Sequence, residues 1–75
     1  MLPVQCKMAR AALGLSEYEL AAKAGVSPDM VSRLEKGETL HQRTGIAIRE
    51  ALEDAGIVFI DENGGGAGVR LRRLC

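Results

Sequence analysis

The stretch LAAKAGVSPDMVSRLEKG, residues 20–37, decides the fold. Leu20, Ala21 and Ala24 share one face of a helix running from about Glu17 to Ala24, and the small Ala21 and Ala22 let a second helix approach closely. Gly25 supplies the left-handed backbone that ends a helix without Cβ strain, and Val26 plugs the corner. Ser27 is an N-cap and Pro28 a first-turn proline, so a new helix starts within three residues of the last one. Val31 and Leu34 face inward at i and i+3, leaving Asp29, Ser32, Arg33 and Lys36 outside until Gly37 stops the helix. A DNA-reading pair needs such a build, one helix braced across the backbone and a second entering the major groove. An αα-hairpin that merely packs has the same spacing.

Upstream, Pro3 suits the first turn of a helix, and Val4 to Leu13 carries Met8, Ala9, Ala12 and Leu13 at helical spacing before Gly14. Ser16 and Glu19 form the capping-box pattern at the start of the second helix. Downstream, Ile48, Ala51, Leu52 and Ala55 recur at i, i+3, i+4 and i+7, and Gly56 ends a fourth helix for which Thr39 and Thr44 are both suitable caps. The period then changes. Ile57-Val58-Phe59-Ile60 is β-branched and aromatic, a glycine-rich loop with Asn63-Gly64 turn chemistry follows, and Val69-Arg70-Leu71-Arg72 alternates. A lone two-stranded ribbon is marginal in water, so this hairpin must pack on the helices or pair with another copy of the chain through Ile57, Phe59, Val69 and Leu71.

The 75 residues suit one compact domain of mainly α fold, with a helical part over 1–56 and a hairpin tail over 57–75. No apolar run approaches the roughly 20 residues that span a bilayer, and Gln5, Cys6 and Lys7 interrupt any secretory signal, so a cytoplasmic location is expected. Ten basic and ten acidic groups cancel, yet unevenly: residues 1–49 hold seven basic and five acidic groups, and 50–62 hold five acidic and none basic. That separation permits a mildly basic face whose field is too weak to hold DNA by phosphate attraction alone.

Cys6 reads as a small core residue, and Cys75 lies at the far end with only His41 between them. This is not the paired spacing of a zinc site, and no metal or cofactor is expected. Glycines 64–66 and Gly68 lack the Lys-Ser/Thr of a phosphate loop and read as a turn. Glu50, Glu53 and Asp54 read as a solvated helix face, and no set of residues has the surroundings of a catalytic site, so an enzyme is not expected. Arg70, Arg72 and Arg73 either line a solvated strand face or add phosphate contacts. With Tyr18 and Phe59 alone as aromatics, a stacking platform for RNA is unexpected.

Residues 5–37, QCKMARAALGLSEYELAAKAGVSPDMVSRLEKG, resemble the helix-turn-helix domain of the phage-repressor and Cro type, the Xre family, and the tail GIVFIDENGGGAGVRLR is similar to a hairpin extension on many small bacterial members. The resemblance implies a lambda-repressor-like domain of four to five helices followed by a short C-terminal β-hairpin. It implies base contacts from Ser27, Pro28, Asp29, Ser32 and Arg33, with Asp29 suited to a cytosine amino group and Arg33 to guanine or a phosphate. It implies phosphate contacts near Ser16 and Glu17 and from Lys36, Thr39, Gln42 and Arg43, and an ion pair between Arg10 and Glu35. Glu17 stands where the resembling domains usually carry a glutamine that contacts phosphate. The function implied is a sequence-specific regulator, a repressor reading double-stranded DNA as a homodimer, with no small-molecule ligand evident. The rival is a protein-interaction module, an antitoxin or anti-regulator, that keeps the fold without binding DNA.

Overall fold

Pro3 has no N–H to leave unpaired in a first turn, and it opens α1 (Pro3–Leu13) of the computed structural model, which describes residues 1–62 and 64–72. The expectations placed on Asn63, Arg73 and Cys75 lie outside the described residues. After α1 come α2 (Glu17–Ala24), α3 (Pro28–Glu35) and α4 (Gln42–Asp54), then β1 (Ile57–Ile60) and β2 (Gly68–Leu71). The described residues thus form four helices and an antiparallel hairpin, mainly α as the patterning predicts.

Local chemistry sets the helix ends. The Ser16 hydroxyl accepts from the Glu19 amide at 3.0 Å while the Glu19 carboxylate accepts from the Ser16 amide at 2.9 Å. Gly25 ends α2 at φ 71°, a backbone region that suits glycine best, and the Val26 amide folds back onto the Ala21 carbonyl at 3.0 Å. Two caps differ from the sequence reading. Ser27 holds the N-cap position of α3 but its hydroxyl makes no capping bond; its carbonyl takes the Met30 amide instead, and Pro28 has no amide to cap. Neither Thr39 nor Thr44 caps α4. His41 does, its ring Nδ1 accepting from the Arg43 amide at 3.2 Å.

The buried core draws on five elements, Cys6 and Ala9 from α1, Leu20 and Ala21 from α2, Val31 from α3, Ile48 and Leu52 from α4, and Ile57 from β1, and Val69 of β2 packs against it. Ala12, read as inward, is exposed, because the side of α1 that carries Gln5 and Cys6 is the one that receives the hairpin and α3. Ala22 is exposed as well, so Ala21 alone provides the close approach on α2.

The hairpin pairs Ile57 with Leu71, Val58 with Arg70, Phe59 with Val69 and Ile60 with Gly68. Its second strand starts one residue earlier than its alternation suggested, at Gly68, whose carbonyl is fixed by a side chain from α1. The Gln5 amide nitrogen donates to the Ile60 carbonyl at 3.1 Å and to the Gly68 carbonyl at 3.0 Å, and Gln5 Oε1 accepts from the Leu2 amide. From the other side, the Arg49 guanidinium of α4 sits 4.8 Å above the Phe59 ring, a cation–π contact. Ile57 is buried and Phe59 and Val69 pack against the core, whereas Leu71 remains 52% exposed.

Candidate nucleic-acid interface

The side of α3 opposite Val31 sets the site. Asp29, Arg33 and Lys36 are exposed, Pro28 and Ser32 are half-buried, and Ser27 is exposed at the entry to the helix. Arg33 and Asp29 do not stand apart. Arg33 Nε lies 2.8 Å from Asp29 Oδ2, one helical turn away.

The opposite end of α3 is anchored. Glu35 is 6% exposed, and a buried carboxylate is tolerated only when paired. Arg10 meets it in a fork, Nε to Oε2 at 2.6 Å and Nη2 to Oε1 at 2.8 Å, while Arg10 Nη1 donates to the Leu15 carbonyl at 3.1 Å. The Cys6 thiol adds a third donor to Glu35 Oε2 at 3.3 Å. Burial alone would push the Glu35 pKa up, but the hydrogen bonds from Arg10 and Cys6 and the Arg10 charge hold it below the usual glutamate value. Burial and then the bond to Glu35 push the Cys6 thiol up to about 12, so it stays a neutral donor. This cluster ties α1 and the following turn to the end of α3 and thereby fixes which face α3 presents.

Between the starts of α2 and α3 lies a shallow cleft of about 290 Å³ lined by Glu17, Tyr18, Pro28, Asp29 and Ser32. Tyr18, 74% exposed, lines it too, and the sequence reading gives that residue no part in DNA contact. The capping box takes up the amides of Ser16 and Glu19, so the first-turn amides of Glu17 and Tyr18 are the ones without an intrahelical acceptor. Glu17 is half-buried on the same rim. Thr39, Gln42 and Arg43 are exposed along the connector and the first turn of α4, beyond Lys36. Among the described residues no three His, Cys, Asp or Glu side chains converge as metal ligands would.

Two short helices joined at a glycine corner, the second anchored by a buried ion pair and showing a polar face, form a helix-turn-helix of the DNA-binding kind. A match to the helix-turn-helix family, of the Cro/C1 type, covers residues 7–54, and the chain belongs to that family. It is a DNA-binding helix-turn-helix regulator. No curated protein matches the chain, and no helix among the described residues is long and apolar enough to cross a membrane.

Proposed function

We propose that the chain is a cytoplasmic, sequence-specific transcriptional regulator, a repressor that occupies its site by inserting α3 in the major groove of double-stranded DNA as a homodimer. The observation that carries this reading is the outward face of α3 held in place by the Arg10–Glu35 fork. Ser27, Pro28, Asp29, Ser32 and Arg33 are the base-reading group. Lys36, Thr39, Gln42 and Arg43, with the first-turn amides of α2 beside Ser16 and Glu17, contact phosphates along the rim. One two-turn helix reads only a few base pairs, so useful specificity needs two copies on a palindromic site. Ile57, Phe59 and Val69 serve the chain's own core, and Leu71 and Ile60 are exposed large apolar side chains of the hairpin that a second copy could cover.

A mobility-shift titration against the DNA upstream of its own gene tests the reading. A shifted band that weakens as salt rises is expected, and Arg33→Ala should reduce affinity by about 1–2 kcal/mol per site. No shift at moderate salt with a folded protein contradicts it. The acidic rim formed by Glu17 and Asp29 favours one second reading, a protein-interaction module, whose mark is tight binding to a partner protein together with indifference to DNA.

A further inference from the structure

Asp29 and Arg33 are 62% and 50% exposed in their side chains, so their pairing adds little to the stability of α3. On a surface that meets DNA, however, a carboxylate is unfavourable, since it lies in the field of the phosphates. Its geometry supplies a compensating use. A guanidinium offers five N–H donors on a rigid fork, and Asp29 approaches that of Arg33 from its Nε side as a close ion pair, Oδ2 2.8 Å from Nε. With the carboxylate on the Nε side, the terminal Nη1 and Nη2 pair is the edge suited to guanine, since its parallel N–H bonds match the O6 and N7 acceptors. Oδ2 is the Asp29 oxygen nearest Arg33, and a carboxylate has lone pairs enough to accept a further donor.

We infer that Asp29 and Arg33 form a single reading unit for a G·C-containing step: Asp29 fixes the guanidinium on a guanine while its outer oxygen accepts from the N4 amino group of a cytosine in the neighbouring base pair. The unit rests on the reading of α3 as the major-groove helix. It gives Asp29 two effects of opposite sign. Its charge weakens general attraction to DNA, and its pairing with Arg33 strengthens the choice of guanine. A pair that only supported the helix would change stability and leave base preference where it was.

The test is selection of bound duplexes from a random-sequence DNA pool by the full chain and by its Asp29→Ala, Arg33→Ala and doubly substituted variants, each shown to be folded by circular dichroism. The wild type should enrich sites with one fixed guanine per half-site beside a second G·C pair. Asp29→Ala and Arg33→Ala should each lower that guanine preference by about tenfold, and the double variant should lose no more than either alone. Asp29→Ala should also bind pool DNA lacking the site about twofold to threefold more tightly than the wild type. An unchanged guanine preference in Asp29→Ala overturns the unit, as does a double variant in which the two losses of guanine preference add. A folded wild type that enriches no sequence overturns the major-groove reading itself, and the unit with it.

Discussion

Glu35→Ala should destabilise the fold by about 3 kcal/mol, lowering Tm by roughly 12–24 °C in a domain of this size. The substitution strips three donors of their acceptor at once: two nitrogens of Arg10 and the Cys6 thiol. Removing one partner of a buried pair usually costs about 3–5 kcal/mol, and the low end applies because the Arg10 side chain, 23% exposed, can turn its charge to water. Glu35→Gln keeps the shape and one acceptor, so it should lose less. The pH profile adds a signature. The folded carboxyl binds its proton less readily than the unfolded one, so its contribution is present above the usual glutamate range and disappears as pH falls through the lower folded value. Thermal melts across the acid range should show that slope in the wild type and a shallower one in Glu35→Gln.

Gln5→Ala is the second large effect, a loss of about 2–3 kcal/mol by the same melts. Three hydrogen bonds go with the side chain, two of them to the hairpin carbonyls of Ile60 and Gly68, and each contributes about 1 kcal/mol net. The loss should be uneven across the molecule. Hydrogen exchange at the β2 amides should accelerate more than at Leu20 or Leu52, because Gln5 is where α1 grips the loop end of the hairpin. Uniform acceleration would mean that the hairpin is held chiefly by Ile57 and Phe59.

The elements that depend on neighbours in sequence were legible. Gly25, the Ser16–Glu19 box, Pro3 and Pro28 each satisfy or avoid a nearby backbone group, so their spacing alone announces where helices stop and start. The hairpin was legible from its change of period. Long-range ties were not. Gln5 reads as an interruption in an apolar stripe, and its acceptors lie 55 and 63 residues away. Its one local hint is its position four residues before Ala9, on the buried face. Glu35 lies 25 residues from Arg10, so only a family resemblance could link them, and nothing in the sequence brings the Cys6 thiol into the cluster. His41 was passed over because threonine is the commoner cap. On α3 the signal was in view but incompletely used: Asp29 and Arg33 were assigned as separate readers, although a four-residue spacing puts them within reach of one another.

The central claim is that α3 carries the DNA-binding face, and amide NMR spectra of the 15N-labelled full chain during titration with duplex DNA at moderate salt test it most directly. The largest shifts are expected at Glu17 and Tyr18 and along Ser27 to Lys36, with smaller ones at Thr39, Gln42 and Arg43. A folded protein whose spectrum does not change, or changes confined to β1, β2 and the solvent face of α4, would contradict it.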